Sequence, residues 1–554
     1  MRVRFTARGR LLAIALGAGL AAGCGGGGGG PSVLPIPPVA GGGNEGGNGE
    51  GGGGATGGNT PPPEPLACAD LASRFESEQD AVVIVSATDV AQAQDLPAHC
   101  DVRGTIRGNI KFAVFMPKEW NGRFQMVGNG GKAGSISFSA MESALRQGYA
   151  TSSTDTGHDA SIRSQSGARF GYDAEFGRDM EIDFGYRAVH LTALVSKEIV
   201  NAHYPEKIQY SYWNGCSTGG RQGLMEAQRF PEDFDGYAVG APVYNYTRQQ
   251  MSAPALLQHL YKSGIAGGSV ISPAKRDLIG NIVYNGNGGN YPGCDALDGV
   301  KDGQIRNPLR CNFDPLVHVP MCGPSGGADC LTAEEQAALV GVYKGRPDVS
   351  VLALPVGSEN TQGGWPDWLI TNGTRTPQLH TVMADAFQYL LFEPDRPDFD
   401  YLTQFDWSAD PHRMETAKQT YNATNPDLRR FAEAGKKIIM YHGWTDPGVN
   451  PMGTLEYRAN VESVFGSPAA VERFMKLYMV PGMGHCSGGP GHGSVDWVAP
   501  LKDWVEHGKE PQAIVGSKPG TQSTRPHCPY PQEAAYDGQG NVDDAQSYSC
   551  ATPG

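Results

Sequence analysis

An α/β fold, with helices covering both faces of a mainly parallel, doubly wound sheet and one large segment inserted between strands, is predicted by three observations. Strand-like and helix-like segments alternate from Cys68 to about Tyr244. The alternation stops between Asn245 and Pro426, where Trp, Pro and Gly are dense, and it resumes from residue 427. Such alternation marks parallel strands joined by crossover helices. In the first stretch, residues 111–117 and 124–127 read as strands, 179–203 as a long helix carrying Ile182, Val189, Leu194 and Ile199, and 208–213 as another strand. In the last stretch, 437–442 and 474–480 are apolar runs of strand length. Residues 67–244 and 427–554 are therefore expected to form one domain, with 245–426 inserted as a lid. No internal repeat is evident.

The chain has 554 residues and a net charge of −14. Residues 1–23 read as a secretory signal: Arg2, Arg4, Arg8 and Arg10 precede an apolar run, Leu11 to Leu20, that is too short to cross a bilayer. Ala21-Ala22-Gly23-Cys24 resembles a bacterial lipobox with Cys24 as the lipidated residue; plain cleavage near Ala22 is the alternative. The Gly-, Pro- and Asn-rich residues 24–66 cannot bury enough apolar surface to order themselves and read as a tether. About 490 residues then remain to fold, enough for one large domain with an insertion. Loss of the signal removes four arginines and no acid, taking the charge from −14 to −18. An acidic chain is a poor partner for nucleic acid or anionic lipid, so membrane attachment would rest on the N-terminal lipid. Export to the periplasm, the outer membrane or the medium is expected. Of the eleven cysteines, ten remain beside Cys24, an even number that suits five disulfides in an oxidising compartment. Counting leaves their connectivity open.

Gly215-Cys216-Ser217-Thr218-Gly219 fits the Gly-x-Ser-x-Gly nucleophile elbow, in which a serine sits on a strained strand-to-helix turn. A strand precedes it, and residues 221–230 continue with helical spacing of Leu224, Met225, Ala227 and Phe230. A serine hydroxyl needs a base to take its proton and an acid to orient that base. In α/β-hydrolases these follow in the order Ser, Asp or Glu, His, each on a loop after a strand. Asp446, after the strand ending at His442, and His485, after the strand ending at Val480, meet that requirement. His492, His442, Asp496 and Asp503 are the competitors. An oxyanion hole needs two backbone N–H donors; Thr218 supplies one, and the loop Gly128-Asn129-Gly130-Gly131 the other, through Gly131 or alternatively Gly130. No Lys-Ser/Thr follows that loop, as a phosphate cradle would require.

Cys216-Ser217, Asp446 and His485-Cys486 resemble the Cys-Ser, Asp, His-Cys motif of the tannase and feruloyl esterase family, which includes mono(hydroxyethyl) terephthalate hydrolases, and the resemblance runs from Cys68 to Cys550. It implies an α/β-hydrolase fold and a serine carboxylesterase that acts on small esters of aromatic acids without a redox or nucleotide cofactor. It implies the pairs Cys216–Cys486, Cys68–Cys100, Cys294–Cys311, Cys322–Cys330 and Cys528–Cys550. It also implies a structural calcium ion in the lid, held by Asp295, Asp298 and Asp302 with the carbonyls of Val300 and Gln304; on spacing alone, this segment is equally an acidic turn. His442 matches a position that lines the family's substrate pocket. Thr218 in place of an acid after the nucleophile matches the feruloyl or tannin esterase condition, with terephthalate half-ester hydrolysis as the alternative. Tyr389, Phe387, Phe392, Trp365 and Trp368 are aromatic candidates for holding a planar acyl group. A serine peptidase of the same fold and an inactive surface binding lipoprotein are the rival readings. Oligomeric state is not legible.

Overall fold

The computed structural model describes residues 64–79, 81–373 and 375–553. The signal, the tether up to Pro63 and Cys24 lie outside the described residues. Nine strands form the central sheet: β1 (Val82–Val90), β2 (His99–Ile106), β3 (Ile110–Pro117), β4 (Arg123–Val127), β5 (Ala150–Thr154), β6 (Tyr210–Cys216), β7 (Gly236–Gly240), β8 (Lys437–Gly443) and β9 (Met475–Val480), in the order β1-β2-β3-β5-β4-β6-β7-β8-β9. The first three strands and β5 pair antiparallel; from β5 through β4, β6, β7 and β8 to β9 every pairing is parallel. The sheet is thus mainly parallel with an antiparallel edge, and β6 to β9 present their carboxyl ends side by side.

Successive residues of these strands serve opposite layers, as the two-residue pleat requires. Trp213, Val239, Met440 and Leu477 pack with α1 (Ala188–His203), α2 (Thr218–Arg229) and α3 (Pro451–Phe465). Tyr212, Ala238, Ile439 and Tyr478 pack on the other face with α4 (Val498–His507). The start and stop of α3 follow from its sequence: Asn450 caps it by accepting from the Met452 amide, Pro451 occupies its first turn, and Gly466 ends it with φ 80°.

The helix expected over 179–203 is one rod broken by a π-turn at Asp183–Arg187. Its buried face includes Val189, Ala193, Ile199 and Val200, while Ile182 and Leu194 are half-buried. The Arg221 guanidinium, wholly buried in α2, bonds two carbonyls of this π-turn: Nη1 donates to Gly185 O at 2.9 Å and Nη2 to Phe184 O at 3.0 Å. Burial pulls Arg221 down to about 10.

Between β7 and β8 the chain forms helices and turns whose apolar residues, Leu257, Trp365, Leu379 and Phe387 among them, make a second core together with Phe170 and Phe184. Two ribbons not anticipated from the sequence follow α4: Ile514–Ser517 with Thr524–His527, and Glu533–Tyr536 with Tyr548–Ala551. Disulfides join Cys68–Cys100, Cys216–Cys486, Cys294–Cys311, Cys322–Cys330 and Cys528–Cys550. Among the described residues no helix is long and apolar enough to cross a membrane.

Candidate active site

Ser217 is the single residue between β6 and α2, with φ 63° and ψ −120°. A side chain is strained in that conformation, which persists only where surrounding bonds impose it. Here its N–H donates to Gly240 O at 3.0 Å, and its carbonyl accepts from the Arg221 amide at 3.0 Å. The flanking glycines are a steric necessity: a Cβ on Gly215 would lie 2.6 Å from Gly219 O.

The loops after β8 and β9 bring Asp446 and His485 to this turn. His485 Nε2 lies 2.9 Å from Ser217 Oγ, and His485 Nδ1 lies 2.7 Å from Asp446 Oδ2. The carboxylate can only accept, so Nδ1 carries the proton and Nε2 is left to accept from the serine hydroxyl. Asp446 is 1 % exposed, and its Oδ1 accepts from the amides of Gly448 and Val449, both at 2.9 Å. Burial opposes its charge, but His485 and His442 outweigh that and hold the carboxyl well below the usual range. Burial likewise lowers His485, and the charge and hydrogen bond of Asp446 more than reverse it, so the imidazole is raised above 6.5.

His442, expected at the pocket wall, is elsewhere. It has no exposed surface and sits behind Asp446, where Nε2 donates to Val449 O at 2.9 Å and approaches Asp446 Oδ2 at 3.2 Å, while Nδ1 accepts from Thr454 Oγ1 at 2.7 Å. Ile438 to Gly443 of β8 are all buried, and side-chain alternation puts position 442 on the same face as Met440, toward α3. The competing His492 bonds Ser523 Oγ at 2.7 Å, beside the C-terminal ribbons.

The glycine loop after β4 is held against α2 by Gln222, which the motif reading did not single out, and by the hydroxyl of Thr218. Gln222 accepts from the Asn129 amide at 3.0 Å and donates to Asn129 Oδ1 at 3.1 Å, and the Thr218 hydroxyl donates to Gly131 O at 2.5 Å. Thr218 opens α2, so its own amide has no carbonyl one turn back to bond. The amide-bearing segments at Gly131 and Thr218 therefore flank Ser217 and are tied to each other. Thr218, Arg221 and Gln222 lie in the run after the elbow; their helical spacing was legible, and their reach to other segments was not.

Ser217, His485, Thr218 and the glycine loop line a cavity of about 410 Å³, closed by Trp368, Val382, Met383 and the helix α-L (Tyr246–Leu260) of the inserted segment. Trp368 meets the His485 ring edge-on at 5.3 Å between centroids, and its ring leaves no room for a Cβ on Gly448, which would lie 2.6 Å away. Of the five aromatic candidates, Trp368 alone is among these lining residues; Trp365, Phe387, Phe392 and Tyr389 belong to the core of the inserted segment. An apolar stretch shows which residues are buried, but not which of them border a void.

The acidic turn lies apart from this cavity. Asp295 Oδ1 accepts from the amides of Asp302, Gly303 and Gln304, Asp298 Oδ1 accepts from Val300 at 3.0 Å, and Asp302 Oδ2 accepts from Arg525 Nη2 at 3.0 Å. The donor chemistry, three carboxylates and the carbonyls of one tight turn, suits calcium. Among the described residues, the three side chains with ligand atoms all within 4.8 Å of one another are instead His190, Glu226 and Asp233. Burial, then the charge and contact of Asp233, push the Glu226 carboxyl well above its usual range. His190 Nδ1, 2.7 Å from Asp233 Oδ2, completes the set.

A nucleophile elbow, an imidazole and a carboxylate at the ends of neighbouring parallel strands, beside a half-enclosed cavity, define an α/β-hydrolase. Comparison with known proteins narrows the class. The chain belongs to the tannase and feruloyl esterase family, whose model matches residues 95–551. It is 31 % identical to mono(2-hydroxyethyl) terephthalate hydrolase of Piscinibacter sakaiensis over 84 % of this chain and 87 % of that protein. It is 30 % identical to a probable feruloyl esterase of Arthroderma benhamiae over 79 % and 81 %. The crystal structure of feruloyl esterase B from Aspergillus oryzae superposes with a TM-score of 0.71 at 26 % identity, covering 87 % of this chain and 99 % of that one. The protein is a carboxylic ester hydrolase.

Proposed function

We propose that Ser217, His485 and Asp446 are the catalytic triad of a serine esterase that cleaves esters of aromatic carboxylic acids. The observation that carries this reading is the unbroken line Ser217 Oγ, His485 Nε2, His485 Nδ1, Asp446 Oδ2, with contacts of 2.9 and 2.7 Å. His485 takes the serine proton as Oγ attacks the ester carbonyl, and the developing oxyanion is met by the amides of Thr218 and Gly131. His485 then returns the proton to the leaving alcohol, and water repeats the sequence on the acyl-enzyme. Asp446 stabilises the imidazolium, and His442 holds Asp446.

Hydrolysis of methyl ferulate, methyl gallate and mono(2-hydroxyethyl) terephthalate across pH tests this. The first two esters are expected to be the better substrates, with kcat/KM falling on the acid side at an apparent pKa above 6.5, because protonation of the raised His485 removes the base. No hydrolysis of any of the three, or an acid limb well below 6.5, would count against the reading. Similarity to the Piscinibacter sakaiensis enzyme favours the half-ester as a second reading. A free carboxylate on the acyl group calls for a cation, however, and Lys132, the cation among the lining residues, is already paired with Asp385 at 2.7 Å.

The turn of Asp295, Val300 and Gln304 with Asp298 and Asp302 is read as a calcium site, supported by its hard oxygen donors and by the family resemblance. The ion would neutralise the three carboxylates and brace the turn near Cys294–Cys311. Chelation is then expected to lower the melting temperature, and re-addition of calcium to restore it. An unchanged melting curve, with no calcium found by elemental analysis, would remove the site. Export is inferred from the signal-like residues 1–23 and is supported by five disulfides, which persist in oxidising compartments. Lipidation of Cys24 belongs to the same inference.

A further inference from the structure

Glu226 lies near the end of α2, Asp233 in the turn that leads from α2 to β7, and His190 in the first turn of α1. One nitrogen or oxygen atom from each stands within 4.8 Å of the others. Glu226 has no exposed surface, and no donor among the described residues reaches either of its carboxyl oxygens. Asp233 is 1 % exposed, and His190 Nδ1 meets its Oδ2 at 2.7 Å. The His190 ring lies flat against Phe230, with 3.7 Å between centroids, and this stacking fixes Nδ1 toward the carboxylates. The basic neighbours bond elsewhere. Lys197 Nζ donates to Asp233 O at 2.7 Å and stands 4.0 Å from Asp233 Oδ1, and the Arg229 guanidinium donates to Gln419 O at 3.1 Å. A buried carboxyl group that no donor reaches has lost its water without a replacement, so it calls for an explanation.

We propose that His190, Glu226 and Asp233 form a binding site for a divalent transition-metal ion of the zinc type, which clamps the elbow helix α2 to α1. One imidazole nitrogen and two carboxylate oxygens are a donor set that zinc accepts, with water as the fourth ligand, whereas calcium and magnesium take oxygen donors. Donor atoms on one tetrahedral zinc ion stand about 3.4 Å apart, so movement of side chains is enough to close this trio on it. The ion replaces the contact between His190 Nδ1 and Asp233 Oδ2, and the neutral imidazole then carries its proton on Nε2. His190, with 22 % of its side chain exposed, is the way in. The site shares no residue with the triad or with the acidic turn at Asp295. A proton held between the two carboxyl groups is the competing explanation; it has no need of the imidazole that Phe230 aims at them.

The test strips the purified protein with EDTA, returns it to buffer with excess calcium so that the acidic turn does not compete, and titrates it with zinc chloride. About one zinc ion per chain is expected to stay bound through gel filtration, by elemental analysis. The melting temperature is expected to rise by about 3 °C when free zinc stands about a hundredfold above its Kd. Cobalt chloride in place of zinc should give the visible absorption of a tetrahedral ion. His190→Ala, which removes a partly exposed ring, and Glu226→Gln, which keeps the side chain's shape, are each expected to fold and to weaken zinc binding by about tenfold or more. A wild-type protein that neither retains zinc nor shifts its melting curve would overturn the proposal and leave the proton as the account of the pair. Zinc held as tightly by both variants as by the wild type would overturn it as well, by placing the ion elsewhere.

Discussion

Ser217→Ala is expected to lower kcat on methyl ferulate by about 10⁴- to 10⁶-fold while leaving the melting temperature close to that of the wild type. The size of the effect follows from the geometry. In the proposed mechanism His485 Nε2, at 2.9 Å, accepts the proton from Ser217 Oγ, and alanine removes both the nucleophile and that proton. What remains is the cavity and the two amides, which can still bind and polarise an ester and so leave a residual rate above that of water. The strain at φ 63° belongs to the backbone and is shared by alanine, so the substitution should perturb the fold little. Single-turnover assays with purified variant and wild type decide it: a variant rate within tenfold of the wild type would mean that another group is the nucleophile.

The second large effect is expected from Cys216→Ser with Cys486→Ser. In the chain-entropy account, the bridge closes 270 residues and stabilises the fold by up to about 5 kcal/mol, less whatever the bridges nested within it already contribute. The consequence for catalysis should be larger than for stability alone. Cys486 follows His485 directly and holds φ 64°, and Cys216 precedes Ser217, so the bond sets the spacing of the base loop from the nucleophile turn. Misplacement of a reacting group by about 1 Å can cost about 10²-fold in rate. We expect kcat to fall by about that factor with KM changed much less, together with a lowered melting temperature. A variant with wild-type kcat and an unchanged melting curve would show that the hydrogen bonds of Asp446 hold His485 without help.

The elements that position the site were legible because each carries its signal locally. The strands ending at Cys216, Gly443 and Val480 are rich in apolar and aromatic residues, each is followed by a glycine-rich turn, and this pattern puts Ser217, Asp446 and His485 at strand ends. The antiparallel edge and the C-terminal ribbons were less visible, because strand direction depends on long-range pairing. His442 was misplaced for a related reason. Its sequence position four residues before Asp446 does not tell which face of a strand buried on both sides it occupies, and that face is the one toward Thr454. Arg221 shows the limit most clearly: an arginine with no exposed surface and no acid partner is improbable from composition alone. It becomes intelligible once a π-turn far back in the chain presents the carbonyls of Phe184 and Gly185 to it.

The Cys216–Cys486 bond also governs what happens if the backbone is clipped. Arg375 lies in an exposed stretch of the inserted segment, its side chain 69 % accessible. Hydrolysis of the peptide bond after it would divide the molecule into two pieces, and four of the five bridges, Cys68–Cys100, Cys294–Cys311, Cys322–Cys330 and Cys528–Cys550, would each lie wholly within one piece. Cys216–Cys486 alone would span the cut, fastening the piece that carries Ser217 to the piece that carries His485. A nicked molecule would therefore migrate as one species until reductant is added, with nucleophile and base still tethered within reach of each other after the polypeptide between them is severed.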